Sequence, residues 1–216
     1  MDTIKKFFKS LHQPFLVTVV LMLICGLGFP LVLQGLSVVL FPDQAAGSLV
    51  TVDGVAVGAE HVGQEFTEPW FMKGRPSAVH YNTYTVNEDG TRTFADGSEF
   101  GGVSSGSNNY GPSNPDLHAR VEADMEAILA ANPGVTRDQI PTDLATASGS
   151  GLDPHISPAS AALQLPAISE ASGLDMATLE QIVEDNTEGK LLGIFGEERV
   201  NVLLVNVAIA EAMGLR

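Results

Sequence analysis

The sequence predicts an α/β or α+β soluble domain tethered by one N-terminal transmembrane helix. Two observations lead to this class: a long uncharged apolar run near the N-terminus, and a following mixture of strand and helix patterns without regular βαβ alternation. A chain of 216 residues accommodates one ordinary domain beside such an anchor. We expect a cytoplasmic N-terminus over 1–14, a transmembrane helix over 15–41 and an extracytoplasmic soluble domain over 42–216.

The apolar run over 15–41 contains no charged residue, and only Thr18, Gln34 and Ser37 are clearly polar. About 20 apolar residues suffice for a helix to cross a bilayer, so this run can span it with some tilt. A signal peptide has a shorter apolar run of roughly 7–15 residues and a prompt cleavage motif. The run therefore predicts an uncleaved membrane span.

Basic residues around the span predict its orientation. Lys5, Lys6 and Lys9 precede it, and no basic residue follows it until Lys73. Because cytoplasmic flanks carry the excess of basic residues, we expect the N-terminus inside and the soluble domain outside the plasma membrane. Residues that interrupt the span and would let a neighbouring helix approach closely are Gly26, Gly28, Pro30 and Gly35. The alternative is a lone anchor with a proline kink.

Charge is distributed unevenly between the two parts. Residues 1–41 carry a net charge of +2, so 42–216 carry −17 of the total of −15. Such a surface repels nucleic acid phosphates and anionic lipid headgroups, and we exclude both as partners of the soluble part. The single cysteine, Cys25, lies in the span, so the soluble part has neither disulfides nor cysteine-based metal sites. The histidines show no metal-ligand spacing, and we predict no metal site.

The first half of the soluble part shows one hairpin, one long loop and one helix. Residues 49–57 alternate apolar side chains around Asp53 and Gly54, a pattern typical of a hairpin. Residues 97–115 are rich in Gly, Ser and Asn and predict a loop. Asn114 and Pro115 are suited to N-cap and first helical position, and 132–134 stop the helix. Its apolar stripe comprises Leu117, Val121, Met125, Ile128 and Leu129.

The second half begins with a loop over 146–157, rich in small and backbone-shaping residues. Gly149 and Gly151 permit positive φ, and Ser157 with Pro158 predicts a helix over 158–171. Asp175 is expected to cap a further helix to about residue 186. The apolar run over 200–205 is typical of a buried strand, and 207–213 then predicts a C-terminal helix.

The side chains of this loop permit two chemical interpretations. Ser150, Asp153 and His155 are close in sequence, but the nucleophile elbow G-x-S-x-G fails because Ser148 replaces the first glycine. Ser, Asp and Pro are common turn residues, which favours a loop shaped by side-chain-to-backbone hydrogen bonds. A membrane-anchored serine hydrolase using Ser150 or Ser148 with His155 is the alternative. Arg75 can bind a partner carboxylate or pair with an acid of this chain.

Several sequence blocks resemble one protein family in order and over nearly the whole chain. They are FMKGRPS at 71–77, SGSNNYGPSNP at 105–115, PTDLATAS at 141–148 leading into the loop described above, and RVNVLLVN at 199–206. Together with the apolar segment, these blocks resemble KdpC, the small accessory subunit of the bacterial and archaeal Kdp potassium-transporting P-type ATPase.

The resemblance implies a non-catalytic subunit of the ATP-driven high-affinity potassium uptake complex. Its implied partners are a channel-like potassium-translocating subunit and an ATP-hydrolysing P-type subunit, whose ATP affinity it would raise. The complex uses ATP, Mg²⁺ and K⁺, but this chain lacks phosphate-binding motifs, a potassium-filter sequence and the DKTG phosphorylation sequence. We therefore predict no catalytic residue and no directly bound cofactor. A potassium-entry module at the channel mouth is the alternative.

The residues that we expect to form the partner surface or its supporting structure come from the resembling blocks and the helix that follows the long loop. They are Gly74, Arg75, Pro76, Ser77, Asn114, Pro115, His118, Arg120, Ser148, Gly149, Ser150, Gly151, Asp153, Pro154, His155, Arg199 and Asn201.

Overall fold

The computed structural model describes residues 2–95 and 97–215, with the side chains of residues 2–9 left undescribed. The chain forms two compact units, 1–49 and 50–216. The first contains a long apolar helix, and the second contains helices and small antiparallel sheets. The predicted fold class, a mixed soluble domain tethered by one helix, is confirmed.

The N-terminal unit is a helical run interrupted by one wider turn. Helix α1 spans Asp2–Leu23, a π-helical turn follows at Ile24–Gly28, and helices α2 and α3 span Phe29–Leu40 and Pro42–Ala45. Over Ser10–Leu40 this run is long and apolar enough to cross a membrane. The amide of Phe29 bonds the carbonyl of Ile24, five residues back. Pro30 follows directly, and since proline lacks an amide hydrogen and crowds the preceding turn, the wider turn accommodates it.

The predicted hairpin begins at Leu49, the last residue of the first unit, and lies otherwise in the second. Strand β1 spans Leu49–Val52 and strand β2 spans Val55–Ala59. Between them Asp53 and Gly54 have φ values of 50° and 81°. Positive φ at both central residues defines the tight turn that matches the twist of antiparallel strands. The hairpin prediction is confirmed.

The next section has little regular structure and one unusual turn. His80, Tyr81 and Asn82 have φ values of 48°, 50° and 56°, so three consecutive non-glycine residues form a left-handed turn. Strands β3 (Thr85–Val86) and β4 (Arg92–Thr93) then pair antiparallel. Left-handed residues cost about 1–2 kcal/mol each, so surrounding contacts must hold this turn.

Helix α4 begins and ends where the sequence predicts. It spans Pro115–Ala131, and the Asn114 side chain accepts a hydrogen bond from the Asp116 amide. Its apolar stripe is only half-buried. A 3₁₀ turn at Arg137–Gln139 and the short helix α5 at Thr142–Ala145 follow.

The core of the unit lies between a three-stranded antiparallel sheet and three helices. Strand β7 (Arg199–Asn201) is central, between β5 (His155–Ile156) and β6 (Thr187–Glu188). Helices α6, α7 and α8 span Pro158–Ser172, Met176–Asp185 and Val202–Ala212. The buried cluster comprises Met72, Ile156, Ala161, Leu165, Ile168, Leu179, Val200, Val202, Val205 and Ile209.

The predicted strand over 200–205 is wrong in most of its length. Strand β7 ends at Asn201, whose side chain accepts a hydrogen bond from the Leu204 amide and caps helix α8. The buried residues Val202, Val205 and Ile209 recur at helical spacing, so the run is a buried helix. Periodicity alone does not separate these two cases when an apolar run is short.

Two side-chain amides join the start of the unit to this core. Asn206, 1% exposed, accepts from the Met72 amide (2.7 Å) and donates to the Met72 carbonyl (2.9 Å). Gln164 likewise accepts a hydrogen bond from the Lys73 amide (2.8 Å) and donates one to the Lys73 carbonyl (3.2 Å). These two side chains act as a strand partner for residues 72–73, so the buried backbone there is satisfied without a sheet.

Candidate functional site

Three of the sequence blocks meet in space and form what we call the motif cluster, residues 74–77, 148–155 and 199–201. Arg75 Nη1 lies 3.1 Å from Asp153 Oδ2, and Arg75 Nη2 donates to Thr146 O at 3.3 Å. Ser77 Oγ donates to Gly151 O at 2.6 Å. Arg75 therefore makes the local ion pair with an acid of this chain.

The left-handed turn is held by the residues of block 74–77. Ser77 Oγ accepts hydrogen bonds from the amides of Val79 and Tyr81, at 3.2 and 3.0 Å. The Tyr81 hydroxyl donates to Arg75 O at 2.6 Å. A Cβ on Gly74 would lie 2.7 Å from that hydroxyl. A side chain at residue 74 would therefore displace the Tyr81 hydroxyl from the Arg75 carbonyl, and Pro76 lies between Arg75 and Ser77 in the same block.

Burial keeps the Tyr81 hydroxyl protonated. Burial, followed by the nearby charge of Asp153, raises the pKa of Tyr81 to about 12. A neutral phenol donates a hydrogen bond, which is what the Arg75 carbonyl requires. This hydroxyl has a structural partner and is not poised for proton transfer at neutral pH.

The central loop is shaped by its own short polar side chains. Ser148 Oγ accepts from the Ser150 amide, and Ser150 Oγ accepts from the Leu152 amide, both at 3.2 Å. Asp153 Oδ1 accepts from the His155 amide at 3.1 Å. In each of these turns a side-chain oxygen accepts a hydrogen bond from the backbone amide two residues later in the chain.

The two glycines of the loop differ. Gly151 has φ of 69°, and a Cβ there would lie 2.6 Å from Gly106 O. Gly149 does not have a positive φ, and a Cβ there would meet nothing within 4 Å. The loop over 105–115 packs here because Ser105 Oγ and the Gly106 amide both donate to Ser150 O, at 2.6 and 2.7 Å. Only Gly151 is required by its conformation and surroundings.

The third block reaches the cluster through the sheet. His155 pairs with Asn201 in the register of β5 and β7, and the Val202 amide donates to Pro154 O at 3.0 Å. Asn201, 1% exposed, also donates to Glu60 O at 2.7 Å. Asn201 therefore caps α8, pairs with β5 and holds the turn after the first hairpin.

His155 is surrounded by charges without a close partner. Its Nε2 lies 3.7 Å from Glu188 Oε1, and Glu188 bonds Arg199 at 2.5 Å. His155 Nε2 is buried and has no hydrogen-bond partner in the described structure. Burial, with the Arg199 charge as the next cause, holds the pKa of His155 below its usual value. The neutral imidazole is favoured near pH 7.

Asp143 also belongs to this region, although the sequence reasoning missed it. Its Oδ2 accepts from the Ser157 amide at 2.7 Å, and its Oδ1 accepts from the hydroxyls of Ser157 and Ser160, at 3.0 and 2.7 Å. Burial alone would raise the Asp143 pKa, but these hydrogen bonds together lower it. A carboxylate with three donors fixes the start of α6. Nothing local in the sequence pairs Asp143 with a helix start 14 residues later.

The remaining predicted residues lie apart from these contacts. On α4, His118 Nε2 lies 3.0 Å from Pro112 O, and Arg120 pairs with Asp124 at 2.8 Å. Pro115 is at N1 after its cap Asn114. Among the described contacts, no hydrogen bond or ion pair joins these four residues to the motif cluster. Gly26 and Gly28 are in the π-helical turn, and Pro30 and Gly35 are in α2.

A cavity of about 450 Å³ lies beside the cluster and is lined by residues that include Lys73, Arg75, Tyr81, Asp124 and Gln164. Lys73 Nζ already donates to the carbonyls of Phe66 and Glu68, and Arg75 Nη1 pairs with Asp153, whereas Arg75 Nε is buried without a hydrogen-bond partner in the described residues. In the described residues, no group of three His, Cys, Asp or Glu side chains could hold a metal ion. Neither Ser148 nor Ser150 bonds His155 in the described structure. The geometry thus favours the structural interpretation of the loop over the hydrolase.

These features define a class: a single-pass membrane protein whose mixed soluble domain carries motifs that bond one another. The chain belongs to the KdpC family. The family profile described as K+-transporting ATPase, c chain, matches residues 11–211. The chain is 56% identical over 209 residues to the potassium-transporting ATPase KdpC subunit of Clostridium kluyveri, covering 97% of each. It is 56% identical over 207 residues to that of Clostridioides difficile, covering 96% of this chain and 99% of the relative.

A more distant relative has the same description and is covered over nearly its whole length. The chain is 40% identical over 207 residues to the potassium-transporting ATPase KdpC subunit of Bacillus cereus, covering 95% of this chain and 97% of the relative. The chain is therefore a subunit of the potassium-transporting ATPase, which implies partner subunits, and it is accessory rather than catalytic.

Proposed function

We propose that this chain stabilises the assembled potassium-transporting ATPase by presenting a rigid extracytoplasmic surface to its partner subunits. The observation that carries the proposal is the motif cluster, where Arg75, Asp153, Ser77 and Ser150 bond groups of this same chain. Side chains used in this way shape a surface, and among the described contacts no hydrogen bond joins Ser148 or Ser150 to the His155 imidazole, as an activated nucleophile would require. The proposed partners are the channel-like potassium-translocating subunit and the ATP-hydrolysing subunit.

The proposal places residues 42–216 outside the plasma membrane and residues 1–14 in the cytoplasm. Three lysines before the span, with no lysine or arginine after it until Lys73, support this orientation. In this orientation the motif cluster is on the opposite side of the membrane from cytoplasmic ATP. Any increase in the ATP affinity of the catalytic subunit then acts through the assembly or through the span. Gly26, Gly28 and Gly35 give the span surfaces that a neighbouring helix can approach.

Cysteine labelling tests the orientation. In a Cys25→Ser background, Glu180→Cys introduces one thiol on the exposed face of α7. We expect a membrane-impermeant thiol reagent to label intact cells. Labelling only after lysis would place the domain beside cytoplasmic ATP and overturn the proposed orientation. ATP cross-linking to Ser148 or Ser150 in a correctly oriented complex would overturn the indirect effect on ATP.

Co-purification tests the assembly role. Arg75→Gln removes the charge that joins two motif blocks, while Ser150→Ala removes only a hydroxyl that accepts one hydrogen bond. We expect Arg75→Gln to reduce the amount of this subunit retained in the purified complex, with ATP turnover per intact complex unchanged. Ser150→Ala should retain near-normal assembly. If Arg75→Gln assembles fully but lowers turnover, the cluster acts in the transport cycle instead.

The charge of −17 on residues 42–216 supports a second candidate, a potassium-entry module at the channel mouth. An acidic surface enriches cations, and salt screens this effect with a Debye length of about 10 Å at 0.1 M. Neutralising exposed acids such as Glu197 and Glu198 should then raise the potassium concentration needed for half-maximal uptake at low ionic strength. An unchanged value would remove this candidate.

A further inference from the structure

The connection between β6 and β7 carries an apolar projection that has no part in the core. We call residues 190–196, with the sequence KLLGIFG, the apolar tip. Its bulky side chains are exposed to a degree rare for their type: Leu191 69%, Leu192 81%, Ile194 76% and Phe195 61%. Contiguous exposed apolar side chains of this kind mark interaction surfaces in soluble domains.

The tip is preformed by its own backbone. Leu191 and Phe195 exchange two hydrogen bonds, at 2.8 and 3.0 Å, and the Gly193 amide donates to Lys190 O at 2.9 Å. The strands at its base, β6 and β7, belong to the sheet that contains fully buried Val200. A fixed projection loses little conformational freedom when it docks, which favours affinity.

Leu192 combines an unfavourable backbone conformation with high exposure. Its φ is 55°, a conformation that glycine and asparagine adopt more readily than leucine. Leu192 is 81% exposed, so burial within this chain does not offset the cost of this backbone conformation. Burial against another surface would offset it.

We propose that the apolar tip inserts into an apolar recess on the extracytoplasmic surface of another subunit of the potassium-transporting ATPase, with basic side chains at the rim of that recess. This inference rests on the proposed assembly role and specifies a contact for it. The four bulky side chains would form the buried centre of the contact, and the charged residues at the base would form its polar rim.

The charges at the base favour a protein recess over the lipid bilayer. Glu197 is 89% exposed in its side chain, and Glu198 is also exposed. Lys190 pairs with Glu197 at 3.3 Å and Arg199 with Glu188 at 2.5 Å, so these two cations stand against three glutamates, which leaves a net charge of −1 at the base, with Glu198 as the acid outside these two ion pairs. Loops and helices that enter anionic membrane surfaces carry unpaired basic residues beside their apolar face. Here an anionic surface would repel the base, whereas a basic rim would pair with it.

The first test is the retention of this subunit by its complex. Leu192→Asn removes an exposed apolar side chain and suits the left-handed backbone, so the variant should fold at least as well as the native chain. Val103→Asn is the matched control, because Val103 is 82% exposed and belongs to the loop over 97–115 rather than to the tip. We expect Leu192→Asn to weaken binding to the purified partner subunits roughly 10-fold, and addition of Ile194→Ser to weaken it about 100-fold. Val103→Asn should bind as the native chain does.

The second test identifies the occupant by thiol protection. In a Cys25→Ser background, the full chain with Ile194→Cys is reacted with a small water-soluble maleimide, alone in lipid nanodiscs and within the complex. We expect at least about 10-fold slower reaction in the complex only, with Val103→Cys reacting equally in both. Slow reaction of the Ile194→Cys chain alone in nanodiscs would identify the bilayer as the surface that covers the tip. If that slow reaction depends on protein concentration, it would identify a second copy of the chain instead. Either result would overturn the proposal.

The proposal would also be overturned if the Ile194→Cys chain reacts with the maleimide at the same rate alone and in the complex while the complex retains Leu192→Asn normally. The assembly role would then still stand if Arg75→Gln is lost from the complex, because Arg75 lies in the motif cluster. If neither Leu192→Asn nor Arg75→Gln affects retention, the assembly role itself fails.

Discussion

Arg75 and Asp153, separated by 78 positions in the sequence, form a half-buried ion pair with 3.1 Å between Nη1 and Oδ2. Asp153 uses its second oxygen to accept a hydrogen bond from the His155 amide. One carboxylate thus fixes both the approach of block 74–77 and the turn into strand β5. The contribution of each contact to stability can be separated by substitution.

Asp153→Asn should destabilise the fold less than Asp153→Ala. The asparagine keeps an oxygen for the His155 amide and loses only the ion pair, at a cost of about 1 kcal/mol. The alanine loses both contacts, at about 2–3 kcal/mol. Urea unfolding of the full chain in nonionic detergent measures both values. Equal losses for the two variants would mean that the carboxylate oxygen toward His155 contributes nothing.

Gly151→Ala should be strongly destabilising, whereas Gly149→Ala should not. The first places a Cβ at φ of 69° and 2.6 Å from Gly106 O, so the 105–115 loop must move, at about 2–4 kcal/mol. The second adds a methyl group where nothing lies within 4 Å and should change stability by less than about 1 kcal/mol. Thermal unfolding of the pair tests this, and equal midpoints would contradict the loop geometry.

Asn206→Leu should cost about 3 kcal/mol or more, because it leaves the buried amide and carbonyl of Met72 unsatisfied. The control is Gln181→Ala on the exposed face of α7, with an expected change within about 0.5 kcal/mol. Urea unfolding measures both. A native-like Asn206→Leu would mean that the backbone of residue 72 finds water or another partner.

His155 should make the folded chain less stable as pH falls below neutrality. Its pKa in the folded chain lies below the ordinary value of 6.5 because of burial and, next, Arg199. The unfolded chain therefore takes up the proton first. The contribution of His155 to the free energy of unfolding is complete above the pKa that this residue has in the unfolded chain. It is lost as pH falls from that value toward the pKa in the folded chain.

Unfolding free energies measured from about pH 8 to about pH 5 test this. His155→Gln, which stays neutral throughout, should lose less stability over this interval than the native chain. If both lose the same amount, the pH dependence belongs to other groups.

Elements with a local signal were predictable from the sequence. Asp53 with Gly54 specifies a hairpin turn, and Asn114 with Pro115 and Ser157 with Pro158 specify helix starts, each through contacts within a few residues. The structure has all three. The start of α8 was missed because Asn201 is both the last residue of a strand and the cap of a helix. An apolar run that follows such a residue fits either structure.

The long-range contacts of residues 72–73 were not predictable in the same way. Gln164 and Asn206 look like ordinary polar residues on apolar helices, and only the fold brings them to residues 72–73. The apolar tip was also missed, since KLLGIFG has the composition of a buried segment. Its exposure follows from its place at the end of a two-strand connection, which depends on the pairing of β6 with β7.

The hydrogen bonds between Met72 and Asn206 also set the time at which this domain can be completed. Their 134-residue separation takes roughly 7–27 s to synthesise at about 5–20 residues per second. During that time the backbone amide and carbonyl of Met72 lack their Asn206 partner, and the growing chain remains open to chaperones and proteases. A chain without its last dozen residues would lack Asn206 and would remain in this open state. Complete folding of the domain therefore requires synthesis through helix α8.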